Sequence, residues 1–200
     1  MNFNPLDPLW EEYKTTADAL MVLKRAVKTH QASHRLRLLQ RTFLAEQTVT
    51  LLTAEYPDDP SIEAVEKDVV KAQSRIEGLF VISLWAEFER FLRTYLQNKG
   101  TVLKTVRPHG LGEAIYQHFS EEVEYWKPDE ILEFLKWNVL TGNEHLAGEA
   151  KDIYRYRSAI VHGRLPDKKI YPNYAHAKLS ELISLLLEKD SESTESPRPV

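Results

Sequence analysis

Late in the chain the run Arg155-Tyr156-Arg157-Ser158-Ala159-Ile160-Val161-His162-Gly163 holds the side chains best suited to chemistry. An imidazole titrates near neutrality, so His162 suits proton transfer. A guanidinium presents a planar fork of donors that matches a phosphate, which suits Arg157. Four residues separate the two, and Arg155 stands as a second candidate with six residues before His162. The same residues have a plainer reading. A helix-terminal histidine is favoured by the negative end of the helix dipole, and Arg157 can pair with Asp152 or Glu149 on the surface. Five positions along an ideal helix turn two side chains about 140° and about 7.5 Å apart. Arg157 and His162 therefore share one phosphate only if the arginine reaches across, the helix deforms at His162, or a second subunit contributes.

A second group is basic. From Ala19 to Ala45 there is no acid, but the stretch carries Lys24, Arg25, Lys28, Arg35, Arg37 and Arg41, with His30 and His34. Such a stripe can track an RNA backbone, or it can be a solvated helix face opposite Glu63, Glu66 and Asp68. His30 and His34 have the i, i+4 spacing of a metal pair without an evident third ligand, so neither metal nor cofactor is expected. Tyr154 and Tyr156 fit core packing as well as base stacking, and Trp85, Trp126 and Trp137 read as core or interface aromatics.

The background in which these residues sit is ordinary. Two hundred residues with 42% hydrophobic and 28% charged side chains fit one soluble domain, here 1–188, followed by a polar tail, 189–200, expected to be disordered. The formal net charge of −4 speaks against a uniformly basic nucleic-acid coat, although charge can still cluster locally. With no cysteine, disulfides, zinc–thiolate sites and thiol nucleophiles are excluded. The acidic, proline-bearing start and the absence of a long apolar run predict a cytoplasmic protein with no membrane association.

The elements that must position the candidates are helices. Seven glycines in the chain, and neither Gly nor Pro between Pro8 and Pro57, leave little room for sheet turns. Apolar residues recur at helical spacing from Trp10 through Tyr13, Ala17, Leu20, Leu23 and Val27, which predicts one long helix or two nearly continuous ones that break around Thr29 to Ser33. The Pro57–Ser61 turn then leads into a second long helix to about Asn98, with a stripe through Val69, Ala72, Ile76, Leu79 or Phe80, Leu84, Phe88, Phe91 and Tyr95. A turn that short predicts an antiparallel pair of 9–55 with 61–98. Shorter helices follow near 111–123, 128–138, Glu144–Val161 with Asn143 as cap, and Pro172 to Leu187. The fold class is all-α, a bundle built on a long helical hairpin plus shorter C-terminal helices.

Two motifs resemble the HEPN superfamily. Its ribonucleases carry an Arg, four to six residues, then a His, and Arg157 to His162 is similar. Leu84-Trp85-Ala86-Glu87-Phe88-Glu89-Arg90-Phe91-Leu92 looks like the aromatic-acidic helix upstream in that superfamily. The likeness covers about 61–187, and lies nearest the branches ending in Val-His-Gly. It implies a metal-independent endoribonuclease, of the kind found among prokaryotic toxins and defence effectors. RNA supplies its own 2′-hydroxyl nucleophile, leaving the protein to move protons and hold the phosphate. It further implies a homodimer with both motifs in one cleft, and the possibility of an antitoxin or other protein partner. Ser158 stands where the family places a longer polar residue, and Glu87 or Glu89, with Glu87 preferred, is the candidate to orient Arg157 or His162. Arg155 supports, and Arg164 joins Lys24, Arg25, Lys28 and Arg35 as an RNA contact. Arg164 also replaces the tyrosine of toxins regulated by nucleotide transfer, so that regulation is not expected. The alternative is a catalytically silent HEPN module that binds RNA, nucleotide or a protein partner.

Overall fold

A computed structural model describes the backbone of residues 4–36 and 62–194. Among these residues it contains six α-helices, one 3-10 turn and no strand. The helices are α1 (Asp7–Leu36), α2 (Ile62–Gly100), α3 (His109–Tyr125), α4 (Pro128–Asn138), α5 (Glu144–Val161) and α6 (Pro172–Thr194), with the 3-10 turn at Thr101–Thr105. The all-α expectation holds. The turn expected at 57–61, with Ser61 as cap, lies outside the described residues, as do Arg37 and Arg41.

The chain divides into two compact units, one of Trp10–Leu79 and one of Met1–Leu9 with Phe80–Val200. The first holds most of α1 and the start of α2. α1 runs without interruption through Thr29–Ser33, so over the described residues the first of the two alternatives, a continuous helix, is the one observed. No Gly or Pro stands there, and a polar helical stretch needs one to stop.

The second unit carries the core. On α2, Val81, Leu84, Trp85, Phe88, Leu92, Tyr95 and Leu96 are buried. The i, i+3, i+4 rhythm was readable, but its phase drifts over so long a helix: Leu79 is 61% exposed and Phe91 only half-buried, while Trp85 and Leu92 face inward. α4 contributes Ile131, Leu132 and Leu135, α5 contributes Leu146, Ala147, Ala150, Ile153 and Tyr156, and α6 contributes Ala175, Leu179, Leu182, Ile183 and Leu186. Each fully buried leucine or isoleucine contributes about 1.5–3 kcal/mol of transfer free energy. Leu6, just before α1, is fully buried in the same cluster, and Asn4 fixes it there by bonding Ser180 Oγ at 2.8 Å.

Local chemistry explains most helix ends. α4 begins with Pro128 at a first-turn position, and Glu130 accepts the Lys127 N–H at 2.8 Å. Asn143 occupies the N-cap of α5 but makes no side-chain cap bond. Glu144 instead ties the preceding turn to the helix, accepting the Gly142 N–H at 2.9 Å, and this bond holds its carboxyl below the usual range. α3 starts at His109, two residues before the expected 111, because its first turn packs against the 3-10 segment. Gly112 permits that approach: a Cβ there would meet the Val106 carbonyl oxygen at 2.6 Å. α6 continues past the expected Leu187 to Thr194, so 189–194, placed in the tail by composition, are helical. Nothing in 188–194 breaks a helix, and Asp190 is anchored by Lys99 and by the Tyr95 hydroxyl at 3.1 Å.

Candidate functional site

Helix α5 carries the chemistry, and its last turn is built by backbone bonding. His162 is the C-cap, and Gly163 takes φ +64°, a left-handed conformation that glycine adopts without strain. The Gly163 N–H donates to the Ile160 carbonyl at 3.1 Å and the Arg164 N–H to the Ala159 carbonyl at 2.8 Å. These two bonds form a Schellman motif, which closes the helix and turns the chain sharply. The helix is regular through Val161, so it does not deform to bring His162 toward Arg157.

Arg157 and His162 have contrasting surroundings. His162 is exposed, flanked by Val161 at 48% exposure and near Leu165 at 96%. Arg157 is half-buried, and its Nε is buried without a hydrogen-bond partner among the described residues. The two acids that a simple surface salt bridge would use are engaged elsewhere. Asp152 lies between Arg155 at 3.4 Å and Lys168 at 3.9 Å, and Glu149 faces Lys178 at 3.3 Å. Contacts with Glu181 and then Glu149 raise that ammonium above the usual lysine range.

The two acids of the upstream helix pair on that helix. Glu87 pairs with Arg90 on its own helix. Glu89 binds Arg93 at 2.7 Å and accepts the Trp85 indole N–H at 3.0 Å. Both acids are thus turned to neighbours on α2, a consequence of i+3 and i+4 spacing that brings their partners within reach. Trp85 is a core residue, 1% exposed, tilted against Tyr154 at 5.2 Å. Trp126 is half-buried between Phe119 and Phe134, whereas Trp137 is 70% exposed.

A cavity of about 500 Å³ opens where the chain leaves α5 and turns back over it. Asp152, Arg155 and Ser158 line one side, and Arg164, Pro166 and Lys168 of the following loop line the other. Neither Arg157 nor His162 lines it. Helical phase explains the division. Asp152, Arg155 and Ser158 follow one another at intervals of three, and seven positions bring His162 within about 20° of Arg155, about 10.5 Å along the axis. Arg157 points about 160° away from Arg155. The structure therefore groups Arg155, Ser158 and Arg164, and separates Arg157 from them.

The remaining candidates belong to the other unit. Lys24 is half-buried and Arg25 exposed, its guanidinium 3.4 Å from Met21 Sδ. Lys28 and Arg35 lie on α1, and their side chains, like those of His30 and His34, are outside the described residues. Among the described residues no group of His, Asp or Glu side chains could hold a metal ion, and no helix is long and apolar enough to cross a membrane. Lys168 and Leu165 were not singled out by sequence reasoning. The signal was present in Gly163 and Pro166, which together require the chain to reverse and return beside the helix that it has just left.

No family model, curated protein or solved structure matches the chain. The functional reading therefore rests on the site itself and on the two motifs.

Proposed function

We propose that the protein is a metal-independent endoribonuclease of HEPN type, with His162 as the proton-transfer group and Arg157 as the phosphate-binding group. One observation carries this reading: Arg157 is half-buried with an Nε that has no partner among the described residues, while Asp152 faces Arg155 and Lys168 and Glu149 faces Lys178. Leaving a buried donor unsatisfied costs about 1–3 kcal/mol, an expense that a bound phosphate recovers. Exposed His162 complements it, with free access to a 2′-hydroxyl or a leaving oxygen. Catalysis then needs no metal, since the arginine stabilises the phosphorane and the imidazole moves the proton.

The two groups face different sides of one helix, so a single copy does not present both to one phosphate. A two-fold homodimer that joins the ends of α5 supplies the missing half from the facing copy. The exposed Val161 and Leu165 beside His162 give such a contact apolar surface to bury. A role as a toxin or defence effector, with an antitoxin or other protein partner, follows from the motif likeness alone.

Incubating pure protein with total RNA in EDTA, beside an Arg157→Ala, His162→Ala variant, tests the reading. Cleavage by wild type only, leaving 2′,3′-cyclic phosphate ends, is expected. Cleavage that requires Mg²⁺, or persists in the variant, refutes it. A silent binding module is the second reading. It is favoured by the cavity, which gathers Arg155, Arg164 and Lys168 but excludes both reacting residues. RNA bound without cleavage selects that alternative.

A further inference from the structure

We propose that the cavity between α5 and the 164–168 loop is a nucleotide-binding site, in which Arg155, Arg164 and Lys168 hold the phosphate and the adjoining walls hold the nucleoside. The cavity is about 500 Å³, far larger than a phosphate ion and within the usual range for a small organic ligand. Its charge is asymmetric. Three cations, Arg155, Arg164 and Lys168, face two acids, Asp152 and Asp167, so the lining is positive in a chain whose formal net charge is −4. The rest is suited to a flat, partly apolar body, with Tyr154, Tyr156, Ala159, Leu165 and Pro166 in the wall and the Ser158 hydroxyl among them.

The cations are also available. Tight charge-assisted N–H···O contacts are about 2.7–2.9 Å, whereas Asp152 lies 3.4 Å from Arg155 and 3.9 Å from Lys168. One carboxylate thus stands loosely between a helix cation and a loop cation, and Lys168 has besides it only the Tyr174 ring, 5.7 Å away, among the described residues. A phosphate with three oxygens spans that gap better and can engage both, with Arg164 closing from the loop. The walls are rigid where they must be: Tyr156 is 6% exposed and Tyr154 is packed on Trp85. The loop is short, held at one end by the Schellman turn and at the other by buried Ile170 and Pro172. Arg155 and Ser158 share the helix face of His162, so a nucleotide seated here lies along the stripe that ends at the proton-transfer group. For an RNA strand the site is a pocket for a nucleotide flanking the cleaved bond, which rests on the ribonuclease reading. For a free nucleotide it stands without that reading.

The test measures binding rather than turnover, on full-length His162→Ala protein in EDTA, so loss of catalysis does not affect it. The probes are adenosine 5′-monophosphate, adenosine, a five-nucleotide single-stranded RNA and an acidic pentapeptide. Nucleotide or RNA should bind, with adenosine weaker by at least about tenfold, since it lacks the phosphate. Arg155→Ala and Lys168→Ala should each weaken binding about tenfold, while Arg90→Ala, a cation outside the cavity, should not. With the RNA, each cavity variant should also flatten the salt dependence by about one phosphate contact. Binding by the monophosphate assigns a free-nucleotide site; binding by the RNA alone assigns a strand site. The proposal fails if neither binds, if Arg155→Ala and Lys168→Ala bind as wild type does, or if the acidic peptide binds as tightly. RNA cleavage by wild type with cavity variants unaffected would sink the cavity and leave the ribonuclease reading intact. Binding without any cleavage would do the reverse.

Discussion

Two arginines, Arg93 on α2 and Arg157 on α5, are both largely withdrawn from solvent, and their surroundings could hardly differ more. Arg93 donates to Glu89 at 2.7 Å, to the Trp126 carbonyl at 2.9 Å and to the Val123 carbonyl, so one guanidinium ties α2 to the end of α3. Arg157 has a buried Nε with no hydrogen-bond partner among the described residues. A guanidinium that has used its donors on carbonyls is part of the scaffold, because burying it is compensated only by those bonds. One without such bonds among the described residues is, on the reading proposed above, the group that a phosphate would satisfy. Residue type alone does not separate the two cases; the neighbours do.

The contrast can be broken most directly at Arg93. Arg93→Ala leaves Glu89 and two carbonyls without their donor, and we expect a loss of about 2–3 kcal/mol, read as a lowered urea midpoint with an unchanged slope. An unchanged midpoint would mean that the network is ornamental. Arg157→Ala should behave in the opposite way. Its stability should stay within about 0.5 kcal/mol of wild type, while RNA cleavage falls at least about 10²-fold, as it should also in His162→Ala. If Arg157→Ala instead unfolds the protein without a selective effect on cleavage, the guanidinium is structural and the comparison collapses.

Gly163→Ala probes the turn that separates the faces of α5. Forcing a Cβ into φ +64° should cost about 1 kcal/mol, seen as a lowered thermal midpoint. Asparagine at the same position should recover part of it. The smallest effect concerns Tyr95, which belongs to the satisfied side. Burial, then the charge of Asp190, then its hydrogen bond, push the phenol above its ordinary value of about 10. Because the folded value is raised, the contribution is complete below the unfolded value and is lost as pH climbs beyond it. Wild type should therefore lose stability more steeply above about pH 10 than Tyr95→Phe. Parallel curves would show that Tyr95 does not titrate differently on folding.

The same comparison explains what could be read from sequence. α4 and α5 were legible to within a residue or two because Pro128, Asp129 and Gly163 punctuate them. The end of α6 was not, since 188–194 are polar but contain no residue that would stop a helix. Glu87 was placed near the motif by likeness of helices, yet spacing on α2 delivers it to Arg90. The motif itself was visible as a string, but its division between two faces depends on the helix staying regular to Val161. The cavity was beyond reach, because Lys168 meets Asp152 only once the chain has turned back. Local signals carry helix limits; pairings across a reversal depend on a geometry that no window of sequence contains.

That reversal has an evolutionary consequence. Between His162 and Tyr171, only Pro166 and Ile170 are other than exposed, and Ile170 is the one that enters the core. Substitutions at 164, 165 and 167–169 leave the packing of α5 on α6 untouched, so they escape the stability threshold that removes most mutations. The segment is thus free to drift. A lineage can exchange the side chains that line the cavity, and with them the chemistry of the proposed ligand, while inheriting the bundle unchanged.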